Sequence, residues 1–235
     1  MTPSRQEATA RRPAVDLVIK GLADQADSPD RPGRPQAAYL RPVHYGMVTD
    51  RFRAAMDAVP RVGYLPRHQR RNADSDRPLP IGSGATNSQP TTVLNMLRML
   101  DAREGHRILD VGSGSAWTTA ILAHLAGPMG SVRGVEIEPD LVAQGRAHLK
   151  VNGVTGVPIH PAASGTLGWP DEAPYDRILV SAGARELPRS LVEQLDDHGR
   201  MVIPVAGEMV IVEREGAGLR TTRQGRYRFV PLRGG

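Results

Sequence analysis

At 235 residues the chain is long enough for one α/β domain with a substantial core plus an appendage, and too short for two full domains. The absence of cysteine excludes disulfides, thiolate metal sites and a cysteine nucleophile, and suits a reducing cytoplasm; no apolar run reaches membrane-spanning length and no signal-peptide core is seen near the N-terminus. The net charge of +5 comes almost wholly from arginine, Lys20 and Lys150 being the only lysines, and with aromatics at 4% it reads as a solvated basic face or an attraction to acidic peptide rather than as a nucleic-acid surface.

In chain order, residues 1–42 are rich in Pro, Asp, Arg and Ala, with one apolar patch at Val15–Leu22, and read as a flexible N-terminal arm. Residues 43–235 read as a single domain, with a helical part at 43–101 and an α/β core at 102–235. The spacing of Met47, Phe52, Ala55, Met56 and Val59 predicts an amphipathic helix from His44 to Val59, stopped by Pro60. Arg61 to Pro90 reads as a long polar loop, a kind that is usually functional or disordered. Pro90 suits the first position of a helix running to Asp101, which leaves Thr86–Asn87–Ser88–Gln89 at its entrance.

From there the chain alternates as in a doubly wound, mostly parallel seven-stranded sheet. Strands are predicted near Arg107–Val111, Ser131–Ile137, Val157–His160, Tyr175–Val180, Arg200–Pro204, Glu208–Arg214 and Tyr227–Val230. Helices are predicted at Trp117–Ala126, Pro139–Asn152 and Pro188–Leu195. No helix separates the last two strands, so that edge is expected to be antiparallel.

The stretch ILDVGSGSA, Ile108 to Ala116, is where chemistry concentrates. A strand ending at Asp110 and Val111 runs into Gly112-Ser113-Gly114-Ser115 and then a helix start, an arrangement that lets a ligand approach the backbone and offers free N–H groups. A dinucleotide fingerprint needs a third glycine where Trp117 stands, and a P-loop needs a Gly-Lys-Ser/Thr that is absent. With an acid, Glu136, ending the next strand, the pattern resembles motif I of the S-adenosylmethionine-dependent methyltransferases of Rossmann-like fold. A carboxylate at Glu136 can accept both hydroxyls of a ribose.

Several separated motifs then agree: AMDAVPRVGYLPR, PLPIGSGATNSQP, the glycine stretch, GTLGWPDEAPYDRILVSAGA, LVEQLDDHGRMVIPV and RFVPL. Together they resemble the protein-L-isoaspartate O-methyltransferase family over about Arg51 to Leu232. The resemblance implies S-adenosyl-L-methionine as methyl donor, S-adenosyl-L-homocysteine as product, and an isoaspartyl carboxylate of a peptide or protein as acceptor. It also implies Ser88 as the active-site serine, with Thr86, Asn87, Ser88, Asp110, Gly112, Ser113, Gly114, Ser115, Glu136 and Ser164 around the cofactor. On its own residues Ser88 equally suits the N-cap of the helix begun at Pro90.

Three departures from the family pattern bear on the substrate: Ala116 in place of a glycine, Ser164 in place of an acid, and Ala73-Asp74-Ser75-Asp76 for the usual Ala-Tyr-x-Asp. They leave two further readings beside repair. One is a relative that methylates an aspartate of a single ribosomally made peptide to form aspartimide; the other is a non-catalytic cofactor-binding module. A nucleic-acid methyltransferase would want an Asn/Asp-Pro-Pro-aromatic motif, whereas Ser181-Ala182-Gly183-Ala184 offers small residues suited to the wall of a peptide cleft. The seven histidines lack ligand spacing, so no metal is expected, and neither is a membrane partner; a monomer is the simplest assembly.

Overall fold

The computed structural model describes residues 50–234. The arm read over 1–42 and the start of the helix expected from His44 lie outside these residues. The remainder of that helix, α1, spans Arg51–Ala58, with the Asp50 carboxylate accepting the Phe52 N–H at 3.1 Å as its cap and Phe52, Ala55 and Met56 buried.

The stretch from Arg61 to Pro90 departs from the expected loop. It holds two tight 3-10 turns, Arg61–Tyr64 and Arg67–Asn72, then an antiparallel hairpin of β1 (Leu79–Gly82) and β2 (Ala85–Asn87). Leu79 and Ile81 alternate with exposed Pro80 and Gly82, so the hairpin is a two-sided ribbon with one apolar face. Helix α2, Pro90–Leu100, follows and buries Val93, Leu94, Met96, Leu97 and Leu100.

The core is a seven-stranded sheet in the order β5-β4-β3-β6-β7-β8-β9. Its strands are β3 (Arg107–Val111), β4 (Ser131–Glu136), β5 (Ile159–Pro161), β6 (Tyr175–Val180), β7 (Leu195–Val205), β8 (Glu208–Glu215) and β9 (Gly218–Arg226). The first five run parallel, β8 pairs antiparallel with β7, and β9 pairs antiparallel with β8. Helices α3 (Trp117–Ala126) and α4 (Pro139–Val151) make the crossovers from β3 to β4 and from β4 to β5.

Period-two alternation sorts the strand side chains onto two faces. Ile108, Val132, Leu179, Val202 and Met209 pack in one cluster with α1, α2, α3 and α4. Leu109, Val111, Val135, Ile178, Val180, Met201 and Ile203 pack in another with Leu191, Val192 and Leu195, beside Leu167 and Trp169. The residues between 50 and 101 thus share their core with the sheet.

Two expected elements are displaced. The helix predicted at Pro188–Leu195 is a single turn, α5 (Arg189–Val192), because Leu195 already pairs with Tyr175 as the start of β7. The last strand is Gly218–Arg226 rather than Tyr227–Val230, and the apolar residues after it run instead beside Gly183: the Gly183 N–H donates to Val230 O at 2.7 Å and the Leu232 N–H to Gly183 O at 2.8 Å. At the opposite border β5 has three residues, one of them Pro161, and the Arg146 guanidinium donates twice to Ile159 O. No helix among the described residues is long and apolar enough to cross a membrane.

Candidate active site

Strand order reverses between β3 and β6, whose next connections leave in opposite directions, and in open α/β sheets such a point opens a crevice at the carboxyl ends of the strands. Gly112 and Gly114 turn the chain there with φ of 78° and 53°, a region open to glycine at little cost. A Cβ added at Gly112 would meet nothing closer than 3.7 Å, so the backbone itself forms a bare wall.

Two hollows meet at this turn. The larger, of about 680 Å³ and partly open to solvent, runs from Val111, Gly112 and Gly114 past Glu136 to Leu167, Gly168 and the Val230–Arg233 segment. The smaller, of about 320 Å³, is lined by Thr86, Asn87, Ser88, Gly112 to Ser115, Trp117, Thr118 and Ser181. Thr86, Gly112, Gly114 and Ser181 line both, so the two are compartments of one site.

Glu136 is 6% exposed and held by three backbone donors: Gly114 N–H at 2.8 Å, Ile137 N–H at 2.7 Å and Glu138 N–H at 2.9 Å. These bonds aim it at the larger hollow and leave carboxylate lone pairs for a further hydroxyl donor. Across the rim Glu138 pairs with Arg233.

Ser88 lines the smaller hollow, and its hydroxyl does not cap α2. That task falls to Asp76, whose carboxylate accepts the Thr91 N–H at 2.8 Å, the Thr91 hydroxyl at 2.8 Å and the Gln89 amide at 3.0 Å. These contacts, the Gln89 amide foremost, hold the Asp76 carboxyl below its ordinary range. The capping alternative for Ser88 is thereby removed.

Beside it, Asn87 is buried: its Oδ1 accepts the Arg61 Nε–H at 2.7 Å and its amide donates to Ser115 Oγ at 3.0 Å. Ser115 O accepts from His148 Nδ1 at 3.0 Å, and since a carbonyl cannot donate, that ring nitrogen carries the proton. The Ser113 hydroxyl is buried without a hydrogen-bond partner.

Two of the expected contacts fall elsewhere. Asp110 is fully buried beneath the glycine turn, lines neither hollow, and accepts the Thr119 hydroxyl of α3 at 2.6 Å. Its side chain alternates onto the same face of β3 as Ile108 and anchors α3 through Thr119. Ser164 is exposed in a turn closed by Thr166 N–H to Ala163 O at 3.2 Å, and the wall is made by Ala162, Thr166, Leu167 and Gly168. Trp117, in the slot of a third glycine, donates its indole N–H to Val59 O at 2.9 Å.

Sequence reasoning missed Arg61, Asp76 and the Val230–Arg233 segment. All three lie in stretches that resemble the family, but Arg61 is one of many arginines, Asp76 sits in a polar loop and Val230 ends a run that reads as a strand, so no local pattern gives them a role.

The sequence profile of the protein-L-isoaspartate(D-aspartate) O-methyltransferase family matches residues 40–235. The chain belongs to this family. It is 44% identical to the Methanopyrus kandleri protein-L-isoaspartate O-methyltransferase over 191 residues, covering 79% of this chain and 84% of that protein. It is 42% identical to protein-L-isoaspartate O-methyltransferase 2 of an Anaeromyxobacter species over 240 residues, covering 95% of this chain and 97% of that protein. That alignment reaches into the sequence before residue 40, so the N-terminal stretch has a counterpart in a relative. In fold the family member from Plasmodium falciparum, crystallised with S-adenosyl-L-homocysteine, superposes with a TM-score of 0.71 at 24% identity, covering 80% of this chain and 93% of that one. Family membership makes the chain an S-adenosylmethionine-dependent protein carboxyl O-methyltransferase.

Proposed function

We propose that the chain methylates the free carboxylate of isoaspartyl residues in peptides and proteins, with Ser88 orienting the acceptor. The observation that carries the site assignment is Ser88, which is not used as a helix cap and lines the smaller hollow two residues from Thr86, a residue common to both hollows. The larger hollow suits the donor: bare glycine backbone at Gly112 and Gly114, a carboxylate at Glu136 for a ribose, and apolar walls at Ile137 and Leu167 for a flat base. Thr86 and Ser181, which line both hollows, stand where donor and acceptor would meet.

When bound, S-adenosyl-L-methionine supplies a methyl group on a sulfonium, and S-adenosyl-L-homocysteine is what remains. A peptide carboxyl has a reference pKa near ~4, so the acceptor arrives ionised and no residue here has to remove a proton. The protein's part is to align the carboxylate by the Ser88 hydroxyl and to exclude water from it, which is the proximity and orientation effect. The methyl ester product is set to lose methanol to the neighbouring backbone nitrogen, giving a succinimide whose opening restores aspartate. We assign this work to a single chain in the cytoplasm, a reading supported by the absence of cysteine.

The test is incubation with methyl-labelled donor and matched peptides carrying isoaspartate or aspartate at one position. Label on the isoaspartyl peptide followed by methanol release supports repair; label confined to the aspartyl peptide rejects it in favour of aspartimide formation. S88A is expected to lower kcat by about 10²-fold with little change in donor affinity.

A further inference from the structure

Arg61 is 6% exposed and touches no carboxylate. Six oxygen atoms surround its guanidinium instead. Its Nε–H donates to Asn87 Oδ1 at 2.7 Å; one terminal nitrogen donates to Ala73 O at 3.3 Å and Ser75 O at 2.9 Å; the other donates to Arg77 O at 2.9 Å, Asn87 O at 3.1 Å and Ser88 O at 2.9 Å. Burial brings the group down to about 10, with Asp76 pulling the other way, so it stays charged at neutral pH. A buried cation held this way ties down whatever supplies its acceptors.

Those acceptors belong to the two segments that place Ser88. One is the backbone of Asn87 and Ser88; the other is the 73–77 loop, whose Asp76 caps α2 at Gln89 and Thr91. From Asn87 the chain of contacts continues through its amide to Ser115 Oγ, in the glycine turn itself. A polar path thus runs from a residue outside the cleft, through the neighbour of the acceptor-orienting serine, into the loop that faces the donor.

Resting on the function proposed above, we propose that Asn87, clamped between Arg61 and Ser115, is a positioning residue that fixes the Ser88 hydroxyl relative to the glycine turn and so sets the spacing between acceptor carboxylate and methyl donor. In-line displacement is sensitive to that spacing, since a shift of about 1 Å can lower a rate by about 10²-fold. The Asn87 and Ser115 side chains then act on each other rather than on a ligand.

The experiment is a double-mutant cycle of N87A, S115A and the pair, with kcat and the KM for S-adenosyl-L-methionine measured on an isoaspartyl peptide. Each single variant is expected to lose at least about tenfold in kcat while KM for the donor moves less than about threefold, and the pair is expected to lose no more than the worse single. Losses that multiply, or that fall on donor KM, overturn the clamp. S115A removes one hydroxyl and keeps the test open should N87A fold poorly. A wild-type protein inactive on the isoaspartyl peptide overturns the function and not the clamp, which is then judged by amide exchange. Exchange at Ser88 and Gln89 faster by about tenfold in each single variant supports it, and unchanged exchange rejects it.

Discussion

Asp110 occupies a position unfavourable to a carboxylate. It is fully buried, one oxygen is held by the Thr119 hydroxyl and the other has no hydrogen-bond partner. Burial raises its pKa to about 7, the Thr119 hydroxyl opposes the rise and the Glu136 charge adds to it. Because the folded state holds this proton more tightly than an unfolded chain with a pKa near ~4, the group's contribution to stability is full below about pH 4 and is lost as pH rises through about 7. D110N, which does not titrate, is therefore expected to gain in Tm relative to wild type between pH 5 and pH 8; an identical difference at the two pH values would refute this. Ala116 offers a second test. It holds φ at 69°, where an L side chain is strained, yet its methyl group is wholly buried. Removing the methyl gives up about 0.8 kcal/mol of burial and relieves about 1 kcal/mol of strain, so A116G should lie within about 0.5 kcal/mol of wild type in urea unfolding. A116V, adding branching and bulk, is expected to cost about 2–3 kcal/mol.

Helix α2 depends for its first turn on a residue fourteen positions before it, since Asp76 caps it from the 73–77 loop. D76A is expected to lower stability by about 1 kcal/mol in urea unfolding and to reduce kcat more than donor affinity, because the same turn carries Ser88. Elements whose apolar residues face the core were legible in the sequence: the glycine turn, β3, β4, α3 and α4 all stand close to where periodicity puts them. Elements with another source of order were not. Strands β1 and β2 are four and three residues long, contain Pro80 and Gly82, are joined through Gly84, and read as loop. Strand β9 is largely exposed and polar, LRTTRQGR after its glycine, so no alternation marks it; it forms because β8 pairs with it along its whole length. The run Tyr227–Val230 looked like that strand, and the chain from Val230 to Leu232 instead runs beside Gly183, just beyond β6. In the site, Ser88, the glycines and Glu136 were legible as motif, whereas Arg61 and Asp76 act through backbone carbonyls and a distant helix end, which leave no spacing to read.

At the scale of the whole molecule, a doubly wound, mostly parallel sheet followed from alternation of strands and helices, whereas the strand order with its reversal between β3 and β6, which locates the cleft, is visible only in the fold. What alternation does not reveal is how the two borders of the sheet end. One is the short β5, stopped by Pro161 with its Ile159 carbonyl taken by Arg146. The other is the nine-residue β9, whose outer backbone pairs with no other strand among the described residues and which carries Arg226 beside Arg220 and Arg223, the latter two paired with glutamates of β8. Such a strand invites a neighbouring chain to add to it, and charge along it, with Arg226 outside any ion pair among the described residues, works against an identical copy through repulsion. Salt shortens the reach of that repulsion to about 3 Å at 1 M. R223T/R226T is accordingly expected to shift the protein toward larger species in light scattering at low ionic strength, while wild type does so only at high salt. On that outcome the arginines of the C-terminal stretch guard the open border against edge-to-edge self-association, a service independent of methyl transfer.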